Sequence, residues 1–229
     1  MAIVLVTGAG RGLGLEFVRQ YSAEGWQVLA CARAPEKSEP LNELVRDPTR
    51  KVAVHTLDVG DFAAIEALAK RLAGTAIDVL LNVAGVGGMG VFGKTNYPSW
   101  LDVLRINTLG PLKMAESFVT QVAASGQKKI VTLSSILGSV GANEAGGMYS
   151  YRSSKAAVNA VMKSLSIDLK SRGIIAVPIH PGWVRTDMGG PGADIDVQTS
   201  VAGMVRVIGG LTTADSGKFF NYAGELLPW

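Results

Sequence analysis

Cysteine is nearly absent. Cys31 stands alone, so no internal disulfide can form, and a reducing, cytoplasmic setting is expected. Histidine is almost as scarce. His55 lies inside the apolar stretch KVAVHTL and His180 directly precedes Pro181, neither with a partner at metal-ligand spacing. Both are expected to be structural, and no metal site is expected. Charge of one sign never accumulates: the net charge of +3 is spread along the chain, which gives little support to binding of nucleic acid or a membrane surface. Long hydrophobic runs are missing as well. The run AIVLV is stopped by Thr7 and Gly8, with no basic stretch before it and no small-residue cleavage site after it. It is expected to be a buried strand, not a signal peptide or a membrane span. There is no low-complexity segment and no linker.

What the chain does have is glycine, 28 residues of it, and their placement carries information. Gly25, Gly74, Gly126 and Gly173 each close a helical pattern and precede an apolar run: WQVLACA, IDVLLNVAG, KKIVTLSS and IIAVPIHPG. A glycine there accepts the left-handed conformation that ends a helix. The other glycines cluster after strands, at 8–14, 85–93, 138–147 and 182–192. Strands are expected at 2–7, 27–32, 51–57, 77–82, 128–134, 174–179 and 218–222, and helices at 12–24, 61–73, 99–125, 151–171 and 197–208. Pro111 should kink or divide the third of those helices. Continuous apolar strands alternating with helices describe a parallel sheet covered on both faces. The 229 residues suffice for one such α/β domain spanning 1–229, with seven strands, doubly wound. Ligands of such sheets bind outside the carboxyl ends of the strands, which is where the glycines gather.

VLVTGAGRGLGLEF is the strongest local signal. A strand runs into Gly8, Gly10, Gly12 and Gly14, and an amphipathic helix follows. Glycines permit a tight turn and close backbone approach, while the helix start offers free amides and a positive dipole to a pyrophosphate. The reading is a dinucleotide-binding Rossmann domain. The spacing Gly-x-x-x-Gly-x-Gly departs from the common Gly-x-Gly-x-x-Gly pattern. At the end of the second strand, where an NAD-selective site carries an acid, stand Ala32 and Arg33, and Arg11 lies inside the glycine loop. Two guanidiniums can hold a 2′-phosphate by charge-assisted hydrogen bonds. NADP(H) is the expected cofactor.

TGAGRGLG, LDV at 57–59, NVAG at 82–85, Asn107, SS at 134–135, YRSSK at 151–155 and PGWVRT at 181–186 follow one another in order. In these the chain resembles the short-chain dehydrogenase/reductase family over nearly its whole length. SSILGSV, GGMYSYRSSK, DMGGPGA and FFNYAGELLPW are closest to the carbonyl-reductase-like branch that includes the sniffer and C-factor proteins. The family usually has Asn-Asn-Ala-Gly, so Val83 is a mild departure. The resemblance implies cofactor contacts from Gly8, Gly10, Arg11, Gly12, Leu13, Gly14, Arg33, Asp58, Val59, Asn82, Ala84, Gly85, Tyr151, Lys155, Pro181, Gly182, Val184 and Thr186. Among these, Asp58 would bind the adenine amino group, or serve as a helix N-cap, or both. Val184 and Thr186 would hold the carboxamide.

Two tyrosines, Tyr149 and Tyr151, precede Lys155. Residues four apart share a helix face, so Tyr151 lies over Lys155 and Tyr149 does not. An ammonium nearby favours the phenolate and brings a group of ordinary pKa near 10 toward working pH. Tyr151 is therefore the expected acid, with Tyr149 at the helix entrance or the pocket rim. The resemblance implies that Ser135, in preference to Ser134, polarises the carbonyl oxygen. It also implies that Lys155 bonds the nicotinamide ribose and that Asn107 holds a water beside the lysine. Sixteen residues separate Ser135 from Tyr151, and the extra GANEAGGM is expected to shape the pocket.

The expected activity is NADPH-dependent reduction of a carbonyl, in an aldehyde, ketone or quinone with an apolar body. Met89, Ile136, Leu137, Met148 and Trp183 would line the pocket, under a lid formed by GGPGADIDVQTS. The alternative is a signalling or regulatory protein of the C-factor kind that binds the dinucleotide with little turnover. An epimerase of the extended relatives would need a further substrate domain, and only about forty residues follow Thr186. A homodimer or homotetramer is expected through helices 99–125 and 151–171. The second of these carries Ala156, Ala157, Ala160, Val161, Ser164, Leu165 and Asp168 on one face.

Overall fold

Seven strands with nearly continuous apolar sequence form one parallel sheet: β1 (Ile3–Thr7), β2 (Gln27–Ala32), β3 (Lys51–Thr56), β4 (Val79–Asn82), β5 (Lys129–Leu133), β6 (Ile175–His180) and β7 (Phe220–Asn221). Their order is β3-β2-β1-β4-β5-β6-β7. The computed structural model describes residues 1–88 and 90–229, so the expected pocket residue Met89 lies outside the described residues. The chain reverses direction across the sheet between β1 and β4, which opens a crevice at their carboxyl ends. Helices α1 (Gly12–Ala23), α2 (Glu39–Arg46), α3 (Phe62–Arg71), α4 (Tyr97–Leu104), α5 (Gly110–Ala123), α6 (Tyr149–Asp168) and α7 (Val197–Gly210) cover both faces.

Successive strand residues point to opposite faces, and this divides the core in two. Val4, Val6, Val28 and Ala30 pack with Phe17, Val18 and Tyr21 of α1 and with Val201, Met204 and Ile208 of α7. Leu5, Leu29, Ile130 and Ala176 pack with Ile65 and Leu68 of α3, Met114 and Phe118 of α5, and Val158 and Met162 of α6. Burial on both faces is why the strands read as unbroken apolar runs.

Several local expectations are corrected. Gly25, Gly74 and Gly173 take positive φ as helix terminators, but Gly126 does not; Lys128, at φ 53°, makes the left-handed step into β5. The anticipated break at Pro111 is a five-residue π-helical segment, Arg105–Leu109, joining α4 to α5 without interruption. Widening the helix by one residue absorbs a proline that has no N–H to give the turn before it. Helix α6 starts two residues earlier than expected, so both tyrosines lie in its first turn. The last four residues of the expected lid, 197–200, are the first turn of α7, capped by Asp196, whose side chain accepts from the Thr199 amide at 2.6 Å. On α6, Leu165 turns into the core, whereas Ala160, Ser164 and Asp168 are exposed.

Candidate active site

The glycine loop is held by contacts that no side chain could share. Gly8 has φ 69°, and a Cβ on it would lie 2.9 Å from the Ala84 Cα; one on Gly14 would lie 2.1 Å from the Gly8 oxygen. Thr7 Oγ1 accepts from the amides of Val83 at 3.0 Å and Ala84 at 3.1 Å, tying the end of β1 to the end of β4. Arg11 occupies the N-cap position of α1 without capping it by its side chain, and the first turn has no acid. Among the described residues the amides of Gly12, Leu13 and Gly14 at the helix start have no side-chain acceptor, as an anion site requires.

Arg33 is exposed just beyond β2 and makes no ion pair or hydrogen bond among the described residues. Arg11 does have a partner: its guanidinium meets Asp187 at 2.6 Å, across the crevice from the glycine loop. The two arginines expected to act together therefore start from different states. Asp58 is not the N-cap of α3; Asp61 is, accepting from the Ala64 amide at 3.0 Å, and Asp58 bonds the Gly60 amide at 2.8 Å. Val59 is buried beside Gly110, where a Cβ would approach the Val59 oxygen to 2.9 Å. Asn82 is turned into the sheet, donating to Thr132 Oγ1 at 3.2 Å, with its own Oδ1 buried and unpartnered.

On the far side, Pro181, Gly182 and the loop 183–196 cover the crevice. Gly182 has φ 85°, and a Cβ there would meet Ile195 at 2.7 Å. The loop is closed at its base by the Val184–Ile195 bridge and by Arg185, whose guanidinium donates to the carbonyls of Ala193 and Asp194. Thr186 lies over the glycine loop, its methyl 3.8 Å from the Cβ that Gly12 would carry. Trp183 is half-exposed and donates to the Gly189 carbonyl at 2.9 Å.

Between these walls stand the polar side chains. Ser135 ends the loop after β5 as N-cap of a 3-10 turn, Ile136–Gly138, with its Oγ accepting from the Leu137 amide at 3.1 Å. The same hydroxyl faces Tyr151 and favours its phenolate. Ser134 points elsewhere, donating to Asn159 Oδ1 at 2.6 Å. Lys155 lies below Tyr151 on α6, its Nζ 5.7 Å from the phenol ring centre and donating to the Leu133 carbonyl at 2.8 Å. Burial lowers Lys155 to about 8. Burial also raises Tyr151 above its ordinary value, and the nearby Ser135 hydroxyl opposes it. The expectation that Lys155 would pull the phenol down is thus not what governs the chain by itself; desolvation does.

Asn107 sits in the π-helical segment, 1% exposed. Its Oδ1 accepts from the Val86 amide at 2.8 Å, while its Nδ2 donates to the Val86 carbonyl at 2.9 Å and to Ser154 Oγ at 3.1 Å. Both amide hydrogens of the side chain are used, while Oδ1 keeps a second lone pair. Its backbone carbonyl differs: the residue four later is Pro111, which has no N–H to offer it. Ser154 was not anticipated. It is completely buried, donates to the Tyr151 carbonyl at 2.8 Å, and so joins the π segment to the turn that carries the tyrosine. Its position three residues after Tyr151 and one before Lys155 was the available signal. Ile136, Leu137 and Met148 are half-buried near the two hydroxyls, Met148 at a left-handed φ of 48°.

The fold that brings these side chains together matches known proteins. The carbonyl reductase Sniffer of D. melanogaster superposes with a TM-score of 0.93, at 33% identity, over 100% of this chain and 99% of that one. An NADPH-bound carbonyl reductase from chicken fatty liver superposes with a TM-score of 0.91, at 33% identity, over the whole of both chains. The C-signal protein of Myxococcus xanthus is 41% identical over 166 residues, which cover 72% of this chain and 100% of that protein. The model of the short chain dehydrogenase family matches residues 2–194, and the chain belongs to that family.

Proposed function

We propose that this protein is an NADP(H)-dependent reductase that converts the carbonyl of an aldehyde, ketone or quinone with an apolar body into an alcohol. The observation that carries the reading is the buried Lys155 whose Nζ lies 5.7 Å from the Tyr151 ring centre, with Ser135 at the start of the facing turn, beside a helix start that no side chain caps. Both superposed reductases, one of them NADPH-bound, have the same architecture. The crevice fits a dinucleotide: the α1 amides would take the pyrophosphate, Arg33 the 2′-phosphate, Asp58 the adenine amino group, and Val184 with Thr186 the carboxamide.

When bound, NADPH supplies the hydride. The chain supplies the proton and the polarisation. Tyr151 gives its hydroxyl proton to the carbonyl oxygen, and Ser135 donates a hydrogen bond to that oxygen as charge develops on it. Lys155, with its ammonium out of water, stabilises the phenolate that remains and would reach the nicotinamide ribose. Asn107 would hold the water that returns a proton by way of Lys155. The exposed residues Leu101, Leu109, Ala160, Ser164 and Ile167 on α4, the π segment and α6 suit pairing with a second copy, and we read the protein as a cytoplasmic dimer or tetramer. Among the described residues no helix is long and apolar enough to cross a membrane.

The test is NADPH consumption with a panel of α-diketones, quinones and aldehydes, using wild type and Tyr151→Phe, with NADPH binding titrated in both. Turnover that disappears in the variant while binding persists supports the roles given. Tight NADPH binding by the wild type with no turnover on any carbonyl favours the second reading, a dinucleotide-binding signalling protein, which the likeness to C-signal keeps in view.

A further inference from the structure

The segment that follows β7 has no part in the chemistry above, yet it reaches the active-site loop. From Phe219 the chain doubles back: Phe220 bridges Leu226 in antiparallel fashion, and the Leu227 amide donates to the Phe219 carbonyl at 2.8 Å. This brings Trp229 onto the buried ring of Phe219, with centroids 5.7 Å apart and planes at 28°. The backbone oxygen of Trp229 then accepts two hydrogen bonds, from the Gly141 amide at 3.0 Å and from Ser139 Oγ at 3.1 Å. Ser139 is 1% exposed, and its Oγ accepts in turn from the Ala142 amide at 3.1 Å.

Ser139 directly follows the 3-10 turn that Ser135 opens, and Met148 directly precedes the helical turn that carries Tyr151. The loop 139–148 therefore connects the two hydroxyls that face the carbonyl. Its far end is held by the Met148 amide on the Gly90 carbonyl at 3.0 Å and by Arg152 on the Gly146 carbonyl at 3.2 Å. Residues 140–146 between the anchors are exposed. At its near end, Trp229 supplies the contact from outside the loop.

We propose that Trp229, through Ser139 and Gly141, is a positioning residue that holds the 139–148 loop as one wall of the carbonyl pocket and so sets the size of substrate accepted. The inference rests on the reductase reading only for its activity arm. With the wall held, a bulky carbonyl is guided against Ile136, Leu137 and Met148; with the wall loose, the pocket widens and the bulky substrate loses its register, while a small aldehyde needs little of that surface.

The experiment compares wild type, Trp229→Ala, Ser139→Ala, the double variant and Trp229→Phe by two readouts. In amide hydrogen exchange, Gly141 and Ala142 are expected to exchange at least about tenfold faster in both alanine variants, with Ile130 and Val131 of β5 unchanged. In steady-state reduction, KM for an aromatic diketone is expected to rise about tenfold relative to that for a small aliphatic aldehyde, with kcat and NADPH affinity within about threefold. Because the stack on Phe219 is what presents the Trp229 oxygen to Ser139 and Gly141, the double variant should be little worse than Trp229→Ala at Gly141, and Trp229→Phe should restore the wild-type values by keeping the stack. Unchanged exchange at Gly141 and Ala142, or equal acceleration in β5, overturns the proposal. So does a bulky-to-small KM ratio that stays constant while the two amides respond. A wild type that reduces no carbonyl, with the amides responding as stated, leaves the clasp in place and removes the reductase reading instead. Should Trp229→Ala not fold, Ser139→Ala carries the test at Gly141, since the Ala142 amide bonds Ser139 itself.

Discussion

Gly138→Ala isolates the geometry on which the proposed chemistry depends. Gly138 closes the turn that Ser135 opens, and it does not have positive φ, so alanine meets no backbone penalty there. Its added methyl would instead lie 2.7 Å from the Lys155 carbonyl carbon, 2.8 Å from the Lys155 Cβ and 2.9 Å from the Lys155 oxygen. These atoms belong to the middle of α6 and cannot rotate away. To reach ordinary contact the turn must retreat by roughly 0.7 Å, taking Ser135 away from Tyr151. Overpacking of this kind costs about 1–3 kcal/mol, a melting temperature lower by roughly 4–8 °C at the middle of that range for a chain of this size. Misplacement approaching 1 Å costs on the order of 100-fold in rate, so kcat should fall about 10- to 100-fold. NADPH affinity should stay within about threefold, because the glycine loop sits on a different strand. Gly209→Ala is the control: nothing lies within 4 Å of its Cβ, and in α7 it should stabilise by up to about 1 kcal/mol. The measurements are melting temperature, NADPH titration and kcat. A folded Gly138→Ala protein with wild-type kcat would refute the reasoning.

Three further outcomes follow from the same structure. Arg33→Asp should lower NADPH affinity at least about tenfold and leave NADH affinity equal or better, since it replaces an unpaired cation with the acid that favours a free ribose; parallel titrations with both cofactors decide it. His180→Asn should flatten the acid limb of stability: burial lowers His180 to about 4, so between pH 4 and 6.5 the unfolded chain binds the extra proton. Its stabilising contribution is complete above pH 6.5 and lost by pH 4, up to about 3 kcal/mol, and denaturant titrations across that range would show the difference. Lys128→Gly should raise stability by about 0.5–1 kcal/mol in the same assay, because Lys128 holds φ 53° where glycine is at ease.

The sequence carried the architecture because its signals are local. Apolar runs stopped by glycine announce β1, β4 and β6, and Gly8 to Gly14 announce the turn beneath α1, since a Cβ at Gly8 would lie 2.9 Å from the Ala84 backbone. The spacing of Tyr151 and Lys155 on one helix face was equally legible, because helix periodicity is a property of the chain alone. What escaped was every relation between distant segments. No local pattern shows that Arg11 meets Asp187, 176 residues away, or that Trp229 reaches Ser139 across 90. Nor does it show that Asn107 spends both its amide hydrogens on Val86 and Ser154. The protonation states belong to the same class. The charge near Tyr151 could be read from Lys155, but the desolvation that outweighs it arises only when α6, the 136–138 turn and the loop after β4 close around both groups. Periodicity and backbone conformation are written residue by residue; burial and long-range pairing exist only once the sheet has brought its strand ends together.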